Sequence, residues 1–146
     1  MTWWMWAVVT AGTAGVASAV MCLRGRYVHV TIDGRSMEPA LVDGSSVLMR
    51  RTRIGRLRVG DVVAVAPLWA EAPENPPDER EGRLWIVKRV AALPGDRVPA
   101  GLGRLPAGEV VPAGRCVLLG DSPEHSVDSR QEGFVDLRRL RAIALQ

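Results

Sequence analysis

The sequence has little of what marks several protein classes. Its 146 residues are too few for a multidomain protein. The basic residues, which give a net charge of +3, are spread along the chain and form no run typical of a nucleic-acid-binding arm. With 15 glycines and 10 prolines, the ordered segments must be short, which argues against a helical bundle. We therefore expect one compact domain with an appendage, and no nucleic-acid partner.

Cysteine and lysine are scarce as well. The two cysteines, Cys22 and Cys116, fall in an apolar stretch and in a presumptive strand, so we expect no disulfide between them. Lys88 is the single lysine among 19 basic residues. Because arginine cannot be deprotonated in proteins, a lysine kept in this background is consistent with a site where a proton has to come off.

The amino-terminal segment has the pattern of a membrane anchor. Residues 3–23 carry no charge, and as a helix they would span about 31 Å, the hydrocarbon thickness of a bilayer. Residues that favour membrane interfaces flank the stretch: Trp3, Trp4 and Trp6 at its start, Arg24 and Arg26 beyond its end. We expect residues 1–26 to form a single-pass anchor in the cell membrane. A cleaved signal peptide fits less well because a basic n-region is missing. Because residues 10–19 are only weakly apolar, a segment that inserts loosely or packs against another helix is an alternative.

Period-two alternation begins after the anchor. In residues 27–32 polar and apolar side chains alternate, which predicts a strand. Similar short runs follow, separated by Gly-Asp and Asp-Gly turns, at residues 46–49, 62–66, 84–92, 116–119 and 141–145. The pattern predicts a mostly β fold, a small antiparallel barrel-like domain over residues 27–146. Prolines and acidic residues in residues 67–82 predict an exposed loop.

Two side chains suited to catalysis lie in different segments. Ser36 follows the first strand in a turn, where a substrate could reach its hydroxyl, although a serine in a turn often only satisfies local hydrogen bonds. Lys88 shares a strand face with the apolar Ile86 and Val90, so burial should lower its pKa and make the neutral amine accessible. A lysine that extends along the apolar surface to reach water fits the same pattern.

A third polar segment, residues 120–130, follows the apolar residues 117–119. Ser126 could hydrogen-bond an amine and orient it, and Asp128 with Arg130 could form a charge pair that holds the segment. A solvated turn would use the same residue types.

Together these segments resemble the sequence boxes of the type I signal peptidases, the membrane-bound serine endopeptidases of peptidase family S26 that use a Ser-Lys dyad. SMEPAL at 36–41 resembles the nucleophile box, and VGDVV at 59–63 resembles the structural box that follows it. VKRVAALPGDRV at 87–98 resembles the box of the general-base lysine, and GDSPEHSVDSR at 120–130 resembles the terminal box. The boxes occur in the family's order, and the short domain is similar to the minimal actinobacterial form.

The resemblance implies a role for each matching residue. Ser36 would be the nucleophile, Lys88 its general base and Ser126 the hydroxyl that orients Lys88. Asp128 and Arg130 would form the supporting charge pair. The implied activity is cleavage of signal or leader peptides from precursor proteins, which needs no metal and no cofactor.

The resemblance also implies that Met37 would line the substrate cleft. The sequence departs from the family's pattern at three positions. Position 34 is Gly where many bacterial relatives have Ser, so a hydroxyl donor to the oxyanion hole would be missing. Ser122 stands where Asn is usual and Ala40 where Thr is common, and both changes are interpreted as tolerable.

Other functions fit parts of the pattern. A cytoplasmic maturation protease for one precursor, similar to those that trim superoxide dismutase, would not need the anchor. Self-cleaving repressors share the dyad but carry a DNA-binding helical domain ahead of it. An inactive β binding module would leave Ser36 and Lys88 unused. A Ser-His-Asp triad is disfavoured because His29 lies on the polar face of a strand and His125 in a loop without a matching motif.

Partners and topology follow from the resemblance. The expected partners are precursor proteins with signal or leader peptides and membrane lipid, and the chain is expected to be a monomer. Arg24 and Arg26 beyond the anchor favour a cytoplasmic catalytic domain, whereas signal-peptide removal requires the outer face. We follow the family and expect an extracytoplasmic domain.

Overall fold

The computed structural model describes residues 26–51, 57–67 and 85–145. The expected anchor up to residue 25, and all of the expected loop 67–82 except its first residue, lie outside the described residues. The strands are β1 (Tyr27–Thr31), β2 (Ser46–Arg51), β3 (Val62–Val65), β4 (Ile86–Ala92), β5 (Arg115–Leu119), β6 (Val135–Asp136) and β7 (Leu140–Ala144). A short helix, α1 (Ser129–Glu132), lies after β5, together with 3-10 turns at Pro123–His125 and Leu137–Arg139.

The strands form one antiparallel sheet in the order β1-β2-β7-β3-β4-β5-β6. The expectation of a mostly β fold is therefore confirmed. The expectation of a barrel is wrong, because within the described ranges the sheet is open, with β1 and β6 as its unpaired edges. Alternation of side chains predicts the two faces of each strand, whereas closure depends on the number and stagger of strands far apart in sequence.

All six strands expected from the alternation are present, with each boundary within two residues of the prediction. The strand that the sequence did not reveal is β6. It has two residues, Val135 and Asp136, and is too short to produce a periodic signal. It pairs with the first two residues of β5.

Apolar side chains pack on both faces of the sheet. One core contains Val63, Val65, Val90, Leu118 and Ile143, with other residues of β5 to β7. A second contains Val30, Ile32, Met37, Met49 and Val87, drawn from β1, β2, β4 and the turn after β1. Strand β3 lies between these two cores, and all four of its residues are buried. A third cluster lies around Ala92, Val98 and Val117.

The sheet curls enough to bring its edge toward its centre. Val30 and Ile32 lie at the β1 side of the sheet, yet they share a core with Val87 of β4, although three strands stand between β1 and β4 in the sheet order. The turn that follows β1 is therefore held near the middle of β4, which is the geometry that the candidate site needs.

Two observations concern the cysteines and the expected membrane anchor. Cys116 is a buried free thiol, and burial raises its pKa to about 12. Cys22 lies outside the described residues. In the ranges that the structure describes, no helix has the length and apolarity needed to cross a bilayer.

Candidate active site

Ser36 lies in the turn that follows β1. The backbone N–H of Glu38 donates to the carbonyl oxygen of Arg35 at 3.1 Å, and that of Leu41 donates to Met37 at 2.8 Å. Met37 is fully buried in a core, so it fixes the turn while Ser36 stays half-buried beside it. Met37, which the resemblance assigns to the substrate cleft, lines the small cavity described below.

Gly34 sets the entry to this turn. Its φ is +93°, a left-handed backbone conformation that suits glycine, and its N–H donates to Asp43 Oδ1 at 2.8 Å. The space beside it is open, since a Cβ there would meet nothing within 4 Å. A serine at position 34 would therefore fit sterically but would strain the backbone just before Ser36, by about 1 to 2 kcal/mol.

Lys88 lies in the middle of β4, opposite Val63 of β3. Its neighbours on the same face, Ile86 and Val90, pack against a core, and Lys88 itself is only 4% exposed. It does not extend to the surface. Its Nζ donates a hydrogen bond of 2.9 Å to Ser126 Oγ. Burial lowers the pKa of this amine, partly offset by attraction to Asp128 and reinforced by repulsion from Arg130.

Ser126 and Asp128 continue the hydrogen-bonded chain behind Lys88. Ser126 is 6% exposed and donates to Asp128 Oδ2 at 2.7 Å, so its hydroxyl joins the amine to the carboxylate. Asp128 is fully buried and also accepts from the backbone N–H of Gly120 at 2.8 Å. It caps α1 through the N–H of Arg130 at 3.1 Å, while its own N–H donates to Gln131 at 3.0 Å.

Arg130 neutralises the buried carboxylate. Its Nη1 donates to Asp128 Oδ2 at 3.1 Å, and its Nη2 donates to the carbonyl oxygen of Gly120 at 3.2 Å. A carboxylate buried without a counterion would be costly, and this guanidinium supplies the charge. The pair that the sequence suggested between positions 128 and 130 is present in the structure.

Gly120 lies where the turn that carries Ser36 contacts the segment 120–130, and we call these the two polar segments. A Cβ at this position would lie 2.2 Å from Ser126 Oγ and 2.6 Å from the carbonyl oxygen of Ser36. That same carbonyl accepts a hydrogen bond of 3.0 Å from the N–H of Ser122. Close approach of the two backbones therefore requires glycine at position 120. Sequence reasoning assigned no role to Gly120, and only its place in the terminal box drew attention to it.

A second cross-link was also missed. Arg89 donates from Nε and Nη2 to the two carboxylate oxygens of Asp121, at 2.8 and 2.6 Å, and from Nη1 to the carbonyl oxygen of Gly60 at 2.9 Å. It thereby ties β4 to the segment that carries Ser126 and to the turn before β3. Bidentate pairing fixes orientation as well as distance. Both partners lie inside the sequence boxes, but neither stands out by residue type.

Ser36 and Lys88 line the same two cavities. The larger, which we call the inner cavity, has about 200 Å³ and also contacts Gly34 and His125. The smaller, which we call the small cavity, has about 70 Å³ and also contacts Met37. Ser126, Asp128 and Arg130 are not among the residues lining either one. The structure thus divides the expected residues into a group at the cavities and a group that supports Lys88 from behind.

The two histidines do not form a triad with Ser36. His125 Nδ1 lies 3.0 Å from Ser122 Oγ, and no carboxylate among the described residues is hydrogen-bonded to its ring. His29 lies on β1 and is exposed. Ser36 therefore has one candidate base at the cavities with a fixed position and a pKa lowered by burial, which is Lys88.

Gly120→Ala tests whether the contact between the two polar segments matters. The added methyl group would displace Ser126 or Ser36, and a misplacement of about 1 Å is expected to lower kcat/KM on a precursor peptide by about 100-fold. Gly101→Ala is the matched control, because Gly101 has a φ of +82° with open space around it. It should lower the melting temperature through backbone strain but retain activity. Normal turnover by Gly120→Ala would contradict the interpretation.

Comparison with known proteins gives two matches. The family model described as signal peptidase, peptidase S26, matches residues 1–105. Among characterised proteins, the chain is similar to Signal peptidase I of Bacillus licheniformis. The two are 24% identical over an alignment of 169 positions, which covers 94% of this chain and 82% of the relative.

The extent of the family match defines what it supports. It includes Ser36 and Lys88 and ends before residues 120–130, so the arrangement of Ser126, Asp128 and Arg130 rests on the structure. Since the match spans 105 of 146 residues, the chain belongs to the signal peptidase family, peptidase S26.

Proposed function

We propose that this chain is a membrane-anchored endopeptidase that removes signal or leader peptides from precursor proteins through a Ser-Lys dyad. Family membership supports a serine peptidase that cleaves signal peptides. One observation carries the finer assignment. Lys88 is a buried amine with a lowered pKa, held by Ser126, and it shares two cavities with Ser36.

The proposed reaction begins with Lys88 in its neutral form. Its lone pair accepts the proton of Ser36 while Oγ attacks the scissile carbonyl carbon, and a tetrahedral oxyanion forms. Backbone N–H groups, such as that of Ser36, would stabilise the oxyanion. The Lys88 ammonium then protonates the departing amine as the C–N bond breaks, which leaves an acyl-enzyme. Water attacks the ester, Lys88 takes a proton from it, and collapse of the second tetrahedral species releases the acid and restores Ser36.

Ser126, Asp128 and Arg130 are proposed as positioning residues for Lys88. The Ser126 hydroxyl accepts a hydrogen bond from the Lys88 amine and donates one to the Asp128 carboxylate, so the amine is held through Ser126 by a buried, fixed group. The charges of Asp128 and Arg130 balance each other. This group acts through Lys88 and does not line the cavities with Ser36.

Anchoring and topology are further parts of the proposal. Residues 1–26 would hold the domain at the membrane, where precursor proteins emerge with their signal peptides still inserted. Tethering would raise the effective concentration of enzyme at the substrate without changing the chemistry. The catalytic domain would face the outer side, where the cleavage site becomes accessible.

The dyad assignment predicts loss of cleavage when either partner is replaced. Ser36→Ala removes the nucleophile, and Lys88→Arg keeps a positive charge but has no accessible neutral form. Each should lower kcat by at least about 100-fold, the usual minimum for a general base. Mass spectrometry of a precursor peptide incubated with the detergent-solubilised full chain provides the measurement. Ser46→Ala, an exposed serine in β2, is the matched control. Substantial turnover by Lys88→Arg would exclude the dyad.

The lowered pKa of Lys88 predicts two pH dependences. Activity should rise with pH, with its midpoint below the ordinary lysine value of about 10.4, as the amine loses its proton.

The stability of the fold should also rise with pH because of Lys88. Between the folded and unfolded pKa values the unfolded chain binds more protons, so the free energy of unfolding contributed by Lys88 rises with pH across that window. Urea titrations of wild type and Lys88→Met at several pH values measure it; a difference that does not change with pH would contradict the lowered pKa.

The proposed topology predicts labelling from outside the cell. Cys116 cannot report it, because the thiol is 3% exposed and its pKa is raised to about 12. Glu109→Cys in a Cys22→Ser background introduces an exposed thiol instead. A membrane-impermeant maleimide should label it equally in intact and lysed cells. Labelling only after lysis would place the domain in the cytoplasm and favour the maturation-protease alternative.

A further inference from the structure

A third cavity lies next to the two that contain Ser36 and Lys88. This outer groove has about 610 Å³. It is lined by His29 and Thr31 of β1, by Ile32 and Asp33 after it, by Asp43 and Gly44, and by Trp85 just before β4. It shares Thr31, Ile32 and Trp85 with the small cavity. The three cavities therefore adjoin one another; we call them together the trough, and Ser36 lines two of the three.

Asp33 lines all three cavities. It lies three residues before Ser36, and its side chain is exposed to the trough. Within the described residues it forms no ion pair and accepts no hydrogen bond, unlike Asp43, which accepts the N–H of Gly34. A substrate that reaches Ser36 would pass within contact of this carboxylate.

The charges around Asp33 favour a cationic partner. The outer groove is lined by two carboxylates, Asp33 and Asp43, and by no lysine or arginine of the described residues. Arg35, which lines the inner cavity with Asp33, is paired with Glu38 at 3.0 Å. Lys88 lines the inner and small cavities with Asp33, but the proposed reaction uses its neutral form. Arg51 lies over the Trp85 ring at 6.0 Å from its centre and is not among the lining residues of the groove.

We propose that Asp33 is a specificity residue that selects precursors carrying an arginine or lysine side chain close to the scissile bond. The inference rests on the proposed function, because it assumes that the trough binds the precursor. Arginine should be preferred over lysine, because its planar fork pairs with a carboxylate through two hydrogen bonds and stacks on aromatic rings such as Trp85. Because Asp33 is solvent-exposed, we expect a preference of about 5-fold, the upper range for an exposed ion pair.

A set of peptides tests the proposal. One precursor peptide is prepared with Arg, Lys, Gln or Glu at each of the four positions on either side of the cut, and kcat/KM is measured with the detergent-solubilised full chain. Wild type should cleave the Arg peptide about 5-fold better than the Gln peptide at one position at least. The ratio should fall to about one in Asp33→Asn and should shrink at high salt.

Charge reversal and a control complete the design. Asp33→Arg should prefer Glu over Gln at the position where wild type prefers Arg, which remains informative if Asp33→Asn lowers overall activity. Glu109→Gln removes an exposed carboxylate outside the three cavities and should keep the wild-type ratio. Equal cleavage of all peptides by wild type, or a preference that survives in Asp33→Asn, would overturn the role of Asp33 and leave the proposed function standing. No cleavage of any peptide would overturn both.

Discussion

The buried amine of Lys88 is the group on which the rest of the arrangement depends. An ammonium in an apolar interior is costly, so burial favours the neutral amine of Lys88, and the charged groups packed against Ser126 modify that effect. Asp128 and Arg130 form a pair with no net charge. Adding a neutral amine keeps this buried group neutral, whereas adding an ammonium leaves one uncompensated positive charge. Burial of the amine outweighs the attraction of the carboxylate that lies two hydrogen bonds away, and Arg130 weakens that attraction, so the pKa of Lys88 is lowered.

The sheet supplies the rigid part of the site and the loops supply the rest. Lys88 is fixed on a central strand between β3 and β5, where its position is set by two hydrogen-bonded neighbours. Ser36 comes from the turn after an edge strand and would be far away in a flat sheet. The curl of the sheet and the hydrogen bond from Ser122 to the Ser36 carbonyl bring the two segments together. Because Gly120 has no side chain, the backbones can approach this closely.

The cleft combines an apolar wall with a charged rim. Met37, Ile86 and Val87 line the small cavity beside Ser36 and Lys88, which limits water around the amine. Asp33 stands at the junction with the wider outer groove. The family match places the chain among the signal peptidases. Within that family, the side chains of the rim are expected to set the substrate preference of this chain.

The sequence by itself predicted six of the seven strands, and it favoured a buried Lys88 and a charge pair of Asp128 with Arg130 without deciding either, because each of these features is local. Alternation with period two reports which face of a strand is apolar, and residues two apart meet across one turn. Tertiary structure alone decided that the sheet stays open, that Ser36 and Lys88 share a cavity, that Arg89 holds Asp121, and that Asp33 lines the trough. Ser36 and Lys88 are 52 positions apart and Arg89 and Asp121 are 32 apart, and the curl of the sheet and the packing of loops bring them together. The curl of the sheet and the packing of the loops are not encoded in a local pattern, because many remote pairings are compatible with the same alternation.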